Sequence, residues 1–278
     1  MKHSVRVKSL SKTFPSGKRA LDDVSLKIEP GEMVALIGAS GSGKSTLIRH
    51  IAGLITCDEG SGEVLVNGSL MQQAGKLAPD ARNIRRQTAV IFQQFNLVGR
   101  LSVLTNVLTG RLGKLPWLQG TFGLFPHEDQ LDAYRALVRV GIGETARQRA
   151  STLSGGQQQR AAIARALVQG ASILLADEPI ASLDPASARR VMETLTDVNR
   201  SDGLTVLVSL HQVEYARRFC ARTVAMREGR IVYDGPSRKL TNQKLKEIYG
   251  SASEELILPD AADLVDEGKR RKRDTRAA

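Results

Sequence analysis

Two stretches of this chain set phosphate-binding and water-activating side chains at short, fixed spacing. The first, "GASGSGKST", runs from Gly38 to Thr46 and fits G-x-x-x-x-G-K-[ST]. Gly38, Gly41 and Gly43, with Ser40 in the same turn, let backbone amides point inward around phosphate oxygens. Lys44 then neutralises the β and γ phosphates, Ser45 offers a hydroxyl to Mg²⁺, and Thr46 continues into the helix. The second, "ILLADEP", carries Asp177 to the end of an apolar run, where its carboxylate reaches the magnesium shell. Glu178 follows at once and is the better base for an attacking water, since Asp177 is committed to the metal; its other reading is a helix-capping or ion-pairing acid. Together the two stretches describe hydrolysis of a nucleoside triphosphate.

A third stretch, "LSGGQQQR" at 153–160, stands before the helix former "AAIARAL". Ser154, Gly155, Gly156 and Gln157 place bare amides at a helix entrance, which is a second anion site. For both sites to face one nucleotide within a single chain, the intervening region has to fold back over its own loop. The simpler geometry is a head-to-tail homodimer, in which Ser154 to Gln157 of each chain close over the γ-phosphate held by its partner.

The elements that must position these residues are legible in the apolar pattern. "SVRVKSL", "VSLKI" and "EVLVNGS" alternate with period two and predict half-buried antiparallel strands, with Asn67-Gly68 as a turn. "MVALIG" is a fully apolar strand that runs into the glycine-rich turn, and "SILLAD" and "TVLVSLH" are two more apolar strands that end in polar residues, as the strands of a buried parallel sheet do. "EDQLDAYRALVRVGI" places Leu131, Tyr134, Leu137 and Val138 on one helical face. In "LDPASARRVMETLTDV", Asp184 can cap, Pro185 suits the first turn, and Val191, Leu195 and Val198 form the buried stripe.

Composition bounds the rest. The 278 residues are 41% hydrophobic, enough for a full core, and Cys57 and Cys220 stand apart with no metal-binding or disulfide spacing. No run approaches the roughly 18 to 20 apolar residues of a spanning helix, so the chain is expected to be soluble on its own. A net charge of +11 suits polyphosphate, an anionic membrane face or nucleic acid. Aromatic content of 4% and the lack of a nucleic-acid motif disfavour the last. The cluster Lys269 to Arg273, in the tail 251–278, reads as part of a solvated, loosely held segment.

With these motifs in this order, residues 3–250 resemble the ATP-binding-cassette ATPases, and "LSGGQQQR" looks like their signature motif. The resemblance implies an α/β fold: a P-loop NTPase (RecA-like) core over 3–93 and 168–250, an N-terminal antiparallel β subdomain, and an α-helical subdomain inserted at 94–167. It also implies further site residues. Phe14 matches the aromatic that stacks on adenine, though a core phenylalanine is the other reading. Gln93 matches the glutamine that contacts Mg²⁺ and water, with Gln94 its confusable neighbour. Ser182 and Asp184 match the loop between subunits, and His211 matches the histidine that bridges γ-phosphate and Glu178. Segments outside the motifs, among them "IFQQFNLVGRLSVLTNVLTGRLG", are most similar to phosphonate-import subunits. That similarity implies ATP and Mg²⁺ as cofactors, two membrane-spanning permease subunits and an external substrate-binding protein as partners, and a place on the cytoplasmic face of the cell membrane. Import of phosphate, phosphite or amino acids, and a soluble ATPase outside transport, are the alternatives.

Overall fold

Alternation of side chains decides how the strands stack. The computed structural model describes residues 3–94, 96–250 and 253; the basic cluster Lys269 to Arg273 lies outside them. The chain begins with β1 (Val5–Thr13), β2 (Arg19–Ile28), β3 (Met33–Ile37) and α1 (Lys44–Ile51). A meander follows, β4 (Glu63–Val66), β5 (Ser69–Gln73) and β6 (Lys76–Leu77), then α2 (Ala81–Arg86) and β7 (Thr88–Ile91). Next come α3 (Val103–Leu108), α4 (Trp117–Phe122), α5 (His127–Arg139) and α6 (Gly155–Gln169). The last part comprises β8 (Ile173–Ala176), α7 (Pro185–Asp202), β9 (Thr205–Leu210), α8 (Val213–Phe219), β10 (Arg222–Arg227), β11 (Arg230–Pro236) and α9 (Asn242–Tyr249).

Two sheets form, one antiparallel in the order β2-β1-β4-β5-β6, the other in the order β11-β10-β3-β9-β8-β7. In the second, β10, β3, β9, β8 and β7 are parallel neighbours and β11 pairs antiparallel at the edge. Its central strands are buried on both faces. Met33, Ala35 and Ile37 belong to the core shared with the helices α5 to α9, whereas Val34 and Leu36 belong to the core shared with α1 and the antiparallel sheet. That double burial is why "MVALI" carries no polar residue. The hairpin between β4 and β5 turns at Asn67 and Gly68, both at positive φ (50° and 78°), the backbone of a type I′ turn.

Helix α7 forms as the sequence predicts. The Asp184 carboxylate accepts from the amides of Ala186 and Ser187, Pro185 opens the first turn, and Val191, Leu195 and Val198 are fully buried. Helix α5 departs from expectation. Of the predicted face only Leu137 is buried, while Leu131, Tyr134 and Val138 are exposed and Ala133 and Ala136 face inward instead. The reason is the partner surface: α5 packs on α6, whose buried positions include Gly156, Ala161, Ala162, Ala164 and Ala166. Close approach of two helix backbones selects small side chains, which a pattern weighted by large apolar residues overlooks.

Leu137→Ala should therefore destabilise the fold by about 2–5 kcal/mol, as core truncations do. Leu131→Ala should stay within about 0.5 kcal/mol of the parent. Urea unfolding midpoints compare the two, and an equal loss at Leu131 would contradict the observed packing of α5.

Candidate active site

Strand parity brings the acidic residues to α1. Ile173 and Leu175 of β8 and Leu207 of β9 pack in the cluster that contains α1. One more step of alternation puts Asp177 and Ser209 on that same face. Ser45, at the start of α1, donates its hydroxyl to Asp177 Oδ1 at 2.9 Å, and Ser209 donates to the same oxygen at 2.9 Å. The Ser209 hydroxyl in turn accepts the amide of Glu178 at 2.8 Å. Glu178 lies past the strand end at φ 51°, a conformation uncommon for a residue with a side chain, and this hydrogen bond helps hold it there.

The Glu178 carboxylate meets two cations or donors. His211 Nε2 lies 2.6 Å from Oε1, and because a carboxylate only accepts, Nε2 carries the proton. Lys44 Nζ stands 3.9 Å away. The hydrogen bond from His211 chiefly, helped by the charge of Lys44 and opposed by partial burial, holds Glu178 below the usual carboxylate range. It is therefore ionised at neutral pH.

The loop before α1 wraps a cavity of about 640 Å³ lined by Ser40 to Thr46, Asp177 and Glu178. A side chain at position 38 would collide with Ser42 Oγ and Met226 O, and one at position 43 would reach Ala20 O at 2.5 Å. Gly43 also sits at φ 106° and gives α1 no side-chain cap, so the first amides of that helix are open to an anion. The Lys44 amine is buried and donates to Gly38 O and Ala39 O at 2.7 Å and 3.2 Å. A polyphosphate fits this cradle. The oxygen donors Ser45, Asp177 and Gln93 suit a hard cation such as Mg²⁺, which is held by few protein ligands and shared with phosphate. Among the described residues, no group of three or more His, Cys, Asp or Glu could hold a metal ion.

The other predicted residues separate into those at the cavity and those away from it. Phe14 is half-buried and lines the cavity, belonging to neither core cluster, so the core alternative does not hold. Gln93 and Gln94 are both exposed and both line it. Ser154, Gly155, Gly156 and Gln157 do not line it. Their helix entrance is also less bare than the sequence implies. Ser154 accepts the Gln157 amide at 3.3 Å, and Gln157 Oε1 accepts the Ser154 amide at 2.9 Å, a reciprocal capping box. A Cβ on Gly156 would lie 2.9 Å from Ser187 Cβ, so that glycine seats α6 against the first turn of α7. Ser182 lines a neighbouring cleft with Gln93, Gln94 and Gln158, and Asp184 caps α7.

Sequence reasoning passed over Ser209, Lys18 and Arg49. Ser209 is fully buried and signals itself only as a hydroxyl inside the apolar run "VLVSL". Lys18 and Arg49 line the cavity and add positive charge, without any motif to mark them. Cys57 and Cys220 are free buried thiols, and burial pushes Cys220 up to about 12.

Comparison with known proteins agrees in both sequence and fold. The profile of the ABC transporter family matches residues 21–181. The chain is 58% identical over 257 residues to the phosphonates import ATP-binding protein PhnC 1 of Cupriavidus metallidurans, covering 92% of this chain and 90% of that protein. It is 60% identical over 247 residues to PhnC of Maricaulis maris, covering 89% and 93%. A solved dimeric ATP-binding cassette in a post-hydrolysis state, bound to ADP and Pi, superposes with a TM-score of 0.70 at 35% identity, covering 84% of this chain and 99% of that one.

Removing the His211 donor should raise the pKa of Glu178, because burial then acts with less opposition. The sign follows: in the parent the carboxylate stays charged to lower pH, and the stability it contributes above its unfolded pKa is lost only as pH falls through the depressed folded value. In His211→Ala the folded value lies nearer the unfolded one, so that contribution is smaller and is exhausted at higher pH. An NMR titration of Glu178 in both chains reads the shift, and identical titration midpoints would exclude His211 as its main cause.

Proposed function

The chain belongs to the ABC transporter family, and from that premise we propose that it is the ATP-hydrolysing subunit of an importer of phosphonates. The observation that carries the hydrolytic reading is the convergence of Lys44, Glu178 and His211 at one end of the cavity, with Glu178 kept ionised. The high identity to phosphonate-import proteins over nearly their whole length supports the cargo.

In this reading the amides of residues 38–46 and the Lys44 amine hold the β and γ phosphates, and Phe14 stacks on adenine. Ser45, Asp177 and Gln93 hold Mg²⁺, which when bound neutralises phosphate charge. Glu178 orients a water and accepts its proton as the water oxygen bonds to the γ-phosphorus. The bond from that phosphorus to the bridging oxygen breaks, leaving ADP and phosphate. His211 keeps the Glu178 carboxylate aimed and senses the γ-phosphate.

The same reading takes residues 3–93 and 168–250 as the catalytic core and 94–167 as the inserted helical part. Ser154, Gly155, Gly156 and Gln157 serve the nucleotide of a second copy, with Ser182 and Asp184 in the loop between the subunits. Their position away from this chain's own cavity, and the dimers formed by related cassettes, support that arrangement. No helix among the described residues is long and apolar enough to cross a membrane. Cargo therefore needs a path built by others: two permease subunits above the pair and a binding protein outside, with this chain at the cytoplasmic face.

Glu178→Gln should keep ATP binding and dimerise while turnover falls by about 10²- to 10⁴-fold; a variant that retains most of its rate removes Glu178 from the chemistry. Mixing Lys44→Ala with Ser154→Arg chains should give heterodimers with one intact composite site that traps ATP, and no trapping would refute the head-to-tail pair. The cargo is tested by ATP turnover of the reconstituted complex with loaded binding protein: phosphonates should stimulate it more than phosphate, phosphite or amino acids. Preference for any of those three would reassign the cargo.

A further inference from the structure

Between the core and α5 the chain throws out an arm unlike the rest of its surface. Residues 115–126, "LPWLQGTFGLFP", contain no charged side chain. Trp117, Phe122, Leu124 and Leu118 are 76%, 71%, 62% and 51% exposed. The arm is ordered: α4 runs from Trp117 to Phe122, Thr121 donates back to Trp117 O at 2.7 Å, and Gly123 ends the helix at φ 65°. Phe125 packs against the helical core and fixes its base.

That base adjoins a cleft of about 480 Å³ lined by Arg82, Arg85, Arg86, Lys114 and Arg165, with no acid in its walls. Leu112 lines the cleft and lies against the arm, 3.6 Å from where a Cβ on Gly120 would stand. Nearby Arg111 is neutralised by Asp129 and Asp132, and Arg139 by Asp202. Arg82, Arg86 and Lys114 make no ion pair among the described residues.

We propose that this arm and cleft form an interfacial anchor that seats the chain on an anionic lipid surface. An uncharged tip bearing Trp, Phe and Leu, with cations at its foot, has the chemistry of the boundary between acyl chains and phosphate headgroups. A protein partner with a preformed surface would have to receive a convex apolar tip and neutralise the cleft at once; a bilayer with anionic headgroups does both by its layering. The inference holds whatever the cargo.

Trp117 is the only tryptophan of the chain and reports directly on the arm. Phosphatidylcholine vesicles containing phosphatidylglycerol should shift its emission to the blue and expose it to quenching by brominated acyl chains. Pure phosphatidylcholine should do so far less, and added salt should reverse the shift. Lys114→Glu with Arg82→Glu should weaken vesicle affinity about tenfold or more, and Leu118→Ser with Phe122→Ser should abolish the shift. Two outcomes overturn the proposal: vesicle binding with unchanged Trp117 emission, or a shift that requires permease in detergent and no lipid. These variants touch no residue of the nucleotide cavity, so their ATP turnover in solution should match the parent. Failure of the lipid test therefore leaves the hydrolytic reading standing.

Discussion

One carboxylate oxygen, Oδ1 of Asp177, accepts two hydroxyls from different elements, Ser45 of α1 and Ser209 of β9. Hydrogen bonds to an ionised acceptor are the stronger kind, and this one joins the start of the phosphate helix to the carboxyl ends of two parallel strands. Because Ser209 also receives the Glu178 amide, the residue suited to a cation and the residue suited to activating water share one buried hydroxyl. The placement of Glu178 is thus set by the sheet, not by the loop it begins. The strained backbone at that position can persist only because strand, hydroxyl and His211 constrain it together.

Three helix entrances meet the site or its surroundings, and they differ in how their amides are satisfied. Helix α7 is closed by the Asp184 carboxylate, α6 by the reciprocal Ser154 and Gln157 box, and α1 by no side chain. Only α1 opens into the cavity, so the uncapped end coincides with the place where phosphate fits. The box on α6 orders its first turn in advance, and the contact of Gly156 with Ser187 ties it to α7. In the proposed head-to-tail pair, a surface ordered before binding loses less freedom on closing over a second chain's nucleotide.

Most of this was legible in the sequence where a local rule had a single outcome. The wholly apolar "MVALI" and "ILLA" and the mainly apolar "TVLVSL" could only be strands buried twice, the Asn67-Gly68 turn had one suitable backbone, and Asp184-Pro185 had one place on a helix. Asp177 and His211 came to the site because strand ends carry their polar residues there. What stayed hidden depended on neighbours distant in the chain. The face α5 buries is chosen by the alanines of α6, and Ser209 matters only because β8 lies beside β9. Helix α2, of six residues, is too short for a helical period to emerge.

The net charge of +11 is not spread evenly, and its distribution says more than its size. Arg222 is engaged by Glu32 and Asp234, Arg139 by Asp202, and Arg111 by two aspartates. Such pairs are worth little in stability, but they cancel charge locally. Among the described residues, Lys18 and Arg49 at the nucleotide cavity and Arg82, Arg86 and Lys114 at the cleft beside α4 make no such pair. Like charges gathered without counter-ions repel one another, so each group is costly to the free chain and is relieved by an incoming anion. The first group faces a cradle of amides shaped for phosphate. The second faces an apolar arm, and that difference in neighbours, more than the charge itself, separates a nucleotide from a headgroup layer as the partner each one fits.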